Sequence, residues 1–188
     1  MQVQDLHNHK IAFYLGSILP DIKPSFLTKR HTIDDTFEDL MSEIQSITVN
    51  YDIKRGINSY YARHLGAITH YLSDYCTFPH NSIFQGSIKE HVYYERDLKH
   101  SMKAYVSRED VQRDRDAVQS LKTIDDIVQF IRKTHKEYLK ALKVVHEDIQ
   151  YIIDLCYKVV DAILLFFELA LEKNEAELIK KHKAVVVY

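Results

Sequence analysis

Apolar residues recur every three to four positions along most of this chain, the repeat that gathers them on one face of an α-helix. Ile33, Phe37, Leu40, Met41, Ile44 and Ile47 mark a helix over 33–48. Tyr61, His64, Leu65, Ile68, Leu72 and Tyr75 mark another from about Asn58 to Cys76. Gly66 lies inside it; a glycine weakens a helix interior but lets a neighbour come close. A further helix should cover roughly Ile88 to Tyr105. Ahead of these, residues 5–15 read as a short helix stopping at Gly16, and Gly16 to Arg30 as an irregular loop. Pro20 and Pro24 hold that loop open, because each disfavours helical geometry in the residue before it.

Beyond the middle of the chain the start signals are polar. Ser107 with Asp110 resembles a capping box opening a short helix to about Leu121, and Thr123 with Asp126 repeats the signal. From Ile124 to about Glu172 the helical repeat runs on without Gly or Pro, as one long helix or two with an unmarked break. Nothing reads as a strand. The fold class is therefore all-α, and residues 1–188 are expected to form a single domain, with no repeat or linker to divide them.

Composition changes this picture little. Four Gly and three Pro in 188 residues argue against a turn-rich β architecture. The formal net charge of −2 offers no basic footprint for nucleic acid. Cys76 and Cys156 have neither metal-binding nor redox spacing and are expected to stay reduced. The amino terminus lacks the basic-then-apolar layout of a signal peptide, which gives the expectation of a cytoplasmic protein. The most apolar stretch, Tyr151 to Leu171, carries Asp154, Lys158, Asp161 and Glu168, and so reads as a core helix rather than a transmembrane segment.

The histidines alter the picture. Eleven is a high number for this length, and five fall from His64 to His100. Between His70 and Glu95 the chain spells H-x3-D-x5-H-x10-H-x3-E: His70, Asp74, His80, His91 and Glu95. Members of the pairs His70/Asp74 and His91/Glu95 are four apart, on one helix face and close enough to share a metal. Pro79 breaks the segment between the pairs, so His80 sits on a turn that can swing back toward the helices. One such pair alone is ordinarily an exposed polar couple; two pairs and a turn histidine within 26 residues make a candidate multinuclear metal site. Imidazoles and carboxylates with open positions left for water suit zinc, and Asp74 has two oxygens with which to bridge two ions.

These residues, with the blocks Gly16-Ser-Ile-Leu-Pro-Asp21, His31, Gly66-Ala-Ile-Thr-His-Tyr-Leu-Ser-Asp74, Pro79-His80-Asn81 and His91-Val-Tyr-Tyr-Glu95, resemble the bacterial zinc-dependent phospholipase C family. That family shares its helical fold with the single-strand-specific zinc nucleases. The resemblance runs from about His9 to Glu95, placing the metal-site half at about 7–100 and leaving the rest as generic helix. It implies one zinc on Asp21, His31, His70 and Asp74, and a second on His80, His91 and Glu95, with Asp74 bridging. It also implies that Asp21 is the general base. A third family zinc uses a first-helix histidine and the mature amino terminus. His7 and His9 are the candidates for it here, though two apart they face different sides of a helix.

The expected function is a zinc-dependent phosphodiester hydrolase resembling phospholipase C. Its substrate would be a phospholipid or a small soluble phosphodiester. Two other readings stand beside it: a helical metal-binding protein without turnover, and a single-strand nuclease, which the absence of Trp and of a basic groove disfavours. His64 lies off the His70 face and reads as packing or exposed. His100, His135 and His146 are expected to be solvated, and Cys76 to be a buried thiol beside the site or a soft spare ligand. Lys180-Lys181-His182-Lys183 reads as a solvated helix end.

Overall fold

The fold is built around one helix that is buried on nearly every side. The computed structural model describes residues 2–22, 30–108, 120–141 and 143–185, and among these it contains seven helices and no strand. In chain order they are α1 (Gln2–Asn8), α2 (Lys10–Ile22), α3 (Ile33–Ser46), α4 (Ser59–Tyr75), α5 (Ile88–Arg108), α6 (Ile124–Tyr138) and α7 (Val145–Val185). Helix α4 is the central one. Tyr61, Leu65, Ile68, Leu72 and Tyr75 are fully or almost fully removed from solvent, so its Asn58 cap and apolar repeat become the axis for the others. Leu40 and Ile44 of α3, Ile127 and Ile131 of α6, and Leu155, Val159 and Ile163 of α7 complete the core. No described helix is long and apolar enough to cross a membrane.

The amino-terminal region departs from expectation. The first helical segment is two helices that meet at His9, and α2 runs straight through Gly16 and Pro20 to Ile22, so the loop read from Gly16 to Arg30 is helix up to Ile22. Two things offset the local preferences. Pro20 costs the bond to the Gly16 carbonyl but lies in the last turn, so any kink it makes leaves almost no helix beyond it to displace, and Gly16 and Pro20 are both buried on the face that α2 presents inward. A Cβ on Gly16 would lie 1.9 Å from the Arg63 carbonyl oxygen, and one on Gly66 would lie 2.1 Å from that of Phe13. Two glycines, one on each helix, thus allow backbone-to-backbone packing that overrides the weak helix propensity of both. The opposite face of α2 leaves Ile11, Leu15, Ile18 and Ile22 exposed.

Other boundaries follow from their caps. Thr32 caps α3 by accepting the Asp35 N–H, and the Thr123–Asp126 box is present in full at the start of α6. Ser107 opens no helix: it lies within α5 and its hydroxyl donates to the Lys103 carbonyl, while the short helix expected after it falls outside the described residues. The long apolar stretch is two helices, broken between Tyr138 and Val145. The Lys143 ammonium donates to the Tyr138 carbonyl, satisfying an acceptor at the end of α6.

Candidate metal centre

Five segments bring the candidate donors together. Asp21 rides the last turn of α2, on a helix rather than the irregular segment expected. His31 directly precedes the Thr32 cap of α3. His70 and Asp74 lie one turn apart on α4, and His91 and Glu95 one turn apart on α5. His80 closes a short 3-10 turn, Phe78–His80. This turn is stitched back onto α4 by Asn81, whose buried side-chain amide donates to the Tyr75 and Thr77 carbonyls. The break at Pro79 does bring His80 back toward the helices.

At the inner end, Asp21 and Asp74 each approach the His31–His70 pair. Nδ1 of His31 lies 2.9 Å from Oδ2 of Asp74, 3.2 Å from Nε2 of His70 and 3.5 Å from Oδ1 of Asp21. Nε2 of His70 lies 3.0 Å from the same Asp74 oxygen and 3.4 Å from the same Asp21 oxygen. A tetrahedral zinc with nitrogen and oxygen ligands about 2.0–2.1 Å away has donor-to-donor edges of about 3.3–3.4 Å. The five distances lie close to that, so the donor set has the size and chemistry that zinc requires. The second nitrogen of His70, Nδ1, donates to the Ser17 carbonyl of α2, 2.9 Å away, which fixes the ring's orientation and tautomer.

At the outer end, Nε2 of His80 and Nε2 of His91 lie 2.9 and 3.0 Å from one oxygen, Oε1 of Glu95. His31, Asp74 and His80 join the two ends, their donor atoms all lying within 4.8 Å of one another. The seven expected residues therefore form three overlapping groups, Asp21–His31–His70, His31–Asp74–His80 and His80–His91–Glu95. His31 is buried and Asp74 nearly so, whereas Asp21 and Glu95 are half exposed. One end is deep and the other open.

The charges match this arrangement. Burial acts to raise the Asp74 carboxyl, but hydrogen bonds from His31 and His70 overcome it and hold the group well below the ordinary carboxylate range. Burial alone would lower His70 and His80; the hydrogen bonds to Asp74 and Glu95 instead raise both. The His80 contact lowers Glu95.

The other histidines whose side chains are described stand apart from this centre. Nδ1 of His9 is 3.1 Å from the Ser59 hydroxyl, and neither His7 nor His9 joins the donor groups of the described residues. His64 pairs with Glu43 through Nδ1 at 2.5 Å. His100 and His146 are exposed, as expected. His135 is not: it is buried, and its Nδ1–H donates to the Tyr75 carbonyl, because it sits on the inward face of α6 with Ile127, Ile131 and Tyr138. Burial lowers its pKa. Cys76 is a fully buried thiol, pushed up by desolvation, and joins no donor group.

One residue was not anticipated. Asp148 of α7 is wholly buried, and three donors saturate it: the Phe78 N–H and the Tyr94 hydroxyl on Oδ2, both at 2.9 Å, and the Tyr138 hydroxyl on Oδ1 at 2.7 Å. A signal was present in the sequence. Position 148 falls in helical register with Ile152, Leu155 and Val159, so it is a charge on a buried stripe.

Residues 1–143 match the sequence profile of the family described as zinc dependent phospholipase C. Comparison with curated proteins gives no match, and comparison with solved structures gives none. The match covers most of the chain, including every candidate donor. The chain belongs to the zinc-dependent phospholipase C family.

Proposed function

We propose that this protein is a zinc-dependent phosphodiester hydrolase, with phospholipid as the substrate class its family favours. The observation that carries the reading is the nested donor set. Asp21 and Asp74 each lie 2.9–3.5 Å from donor nitrogens of His31 and His70, close to the edges of a zinc tetrahedron, and the set runs through His31 and Asp74 into the three-donor set His80, His91 and Glu95. A structural zinc is normally closed by four protein ligands. The outer set offers three and faces solvent, which suits a site that admits substrate.

Asp74, His31, His70 and Asp21 would hold one zinc, and His80, His91 and Glu95 a second, with Asp74 between them. Zinc supplies a Lewis acid there, making water acidic enough to attack near neutral pH and stabilising charge on the phosphoryl oxygens. The chain's own contribution is positioning and proton handling. Asp21 is the exposed member of the deep set, so its carboxylate can accept a proton from the attacking water. The water oxygen bonds to phosphorus, the bond from phosphorus to the alcohol oxygen breaks, and the alcohol takes up a proton. With a phospholipid the products are diacylglycerol and a phosphorylated head group. Ser17, holding Nδ1 of His70, and Asn81, holding the His80 turn, keep the imidazoles aimed.

The test is elemental analysis of purified wild type and Asp74→Ala, followed by phosphodiester hydrolysis. Two zinc ions per chain, falling sharply in the variant, with release of diacylglycerol from phospholipid vesicles, support the proposal. Hydrolysis of small diesters alone would keep the chemistry and change the substrate. Zinc binding without any hydrolysis would favour a metal-binding protein without turnover.

A further inference from the structure

Helix α5 carries two of the three outer donors, yet none of its residues from Ile88 to Ser107 is fully buried. Leu98 and Met102 pack partly against the core, and the Phe78 ring meets Tyr94 edge-on at 5.8 Å. Besides the Glu95–His80 contact, α5 is tied to the body by the Tyr94 hydroxyl on Asp148. The turn bearing His80 is tied to the same carboxylate oxygen through the Phe78 N–H. His80 is two residues from Phe78, and Glu95 is next to Tyr94. The two donors whose nitrogen and oxygen lie 2.9 Å apart thus descend from supports that meet at one atom of Asp148. Tyr138 at the end of α6 holds the other oxygen, so the carboxylate cannot turn away. A buried carboxylate with three donors is costly to leave unpartnered, which makes it a rigid anchor.

We infer that Asp148 is a positioning residue for the outer metal set, fixing the His80 turn and the Glu95 face of α5 against each other through Phe78 and Tyr94. The inference rests on the metal-site reading above. It concerns a residue beyond position 143, where the family match ends. Partners bonded directly to metal ligands change affinity by about 10–100-fold when removed; Asp148 acts one contact further out, through Phe78 and Tyr94, so the low end of that range applies, and to one zinc only.

The experiment is a zinc titration against a competing chromogenic chelator on full-length wild type, Tyr94→Phe, Asp148→Leu and Asp148→Asn, each checked for folding by circular dichroism. Tyr94→Phe removes one hydroxyl and keeps the chain folded even if Asp148→Leu does not. The weaker-binding zinc should lose about tenfold or more in affinity in Tyr94→Phe, with the tighter zinc unchanged. Asp148→Asn should recover most of the loss, since its amide oxygen can accept from Phe78 and Tyr94 while its NH2 donates to the Tyr138 hydroxyl. In a His91→Ala background, which lacks the outer set, Tyr94→Phe should change nothing further. Equal weakening of both ions, or wild-type affinities in folded Tyr94→Phe, would overturn the role of Asp148 and leave the metal site standing. Fewer than two zinc ions on the wild type would instead sink the metal reading itself.

Discussion

Gly66 on α4 faces the carbonyl oxygen of Phe13 on α2 so closely that a methyl group in place of its hydrogen would lie 2.1 Å from that oxygen. Neither atom belongs to a movable side chain, so the helices themselves would have to part. Asp21 lies two turns further along α2, and its reach to His70 and His31 depends on how closely α2 is seated. Gly66→Ala should lower stability by about 1–3 kcal/mol, a fall of about 2–4 °C in Tm for each of those. It should also weaken zinc binding. A thermal melt with parallel zinc analysis checks both; a variant that melts with the wild type would show that the helices can separate freely.

Asp21→Asn keeps the side chain's shape and removes its basicity. Hydrolysis of a chromogenic nitrophenyl phosphodiester should fall about 100-fold or more. Zinc content, measured on the same sample, separates loss of the base from loss of a ligand. Full turnover in the variant would remove Asp21 from the proton-handling role.

His135 gives a stability change with pH. Its folded pKa is depressed by burial, while in the unfolded chain the ring titrates near the ordinary value of about 6.5. Above that pH both states hold the ring neutral. As pH falls below it, the unfolded chain takes up a proton that the fold resists, and stability drops until the depressed folded value is reached. His135→Asn, which can still donate to the Tyr75 carbonyl, should flatten this part of the profile. Urea unfolding of both proteins with chelator present, at about pH 7.5 and pH 5.5, reads the difference. His70 and His80 titrate equally in both and cancel. Identical slopes would rule out the assignment.

Thr123→Ala removes the capping hydroxyl of α6, whose partner Asp126 belongs to none of the donor groups. About 1 kcal/mol should be lost, with zinc stoichiometry at the wild-type value. Any loss of zinc would mean that α6 supports the centre more directly than its contacts indicate.

How much of this was legible in the sequence depends on the range of the interaction concerned. The H-x3-D and H-x3-E pairs are legible because a helix turn fixes who faces whom, and their convergence follows from one break at Pro79. The Thr123–Asp126 box is local in the same way. Gly16 and Pro20 misled because their local preferences are real. Only the packing of α2 on α4, between segments some fifty positions apart, outweighs them, although Gly66 had suggested a close neighbour. His135 misled for a related reason: on an amphipathic helix its register with Ile131 and Tyr138 places it inward, and residue type alone suggests the reverse. Asp148 was legible as a charge in register with Ile152, Leu155 and Val159, but its partners Tyr94 and Phe78, 54 and 70 positions away, were not.

The ties from Asp148 to Tyr94 and Phe78 span 54 and 70 residues, and loops of that size are closed late and slowly as a chain folds. The seven donors are all translated by residue 95, yet the carboxylate that ties the supports of the outer ones arrives 53 residues later, on the last helix. A growing chain can therefore display every candidate donor before α7 is made, and the supports of the outer ones meet only once α7 docks.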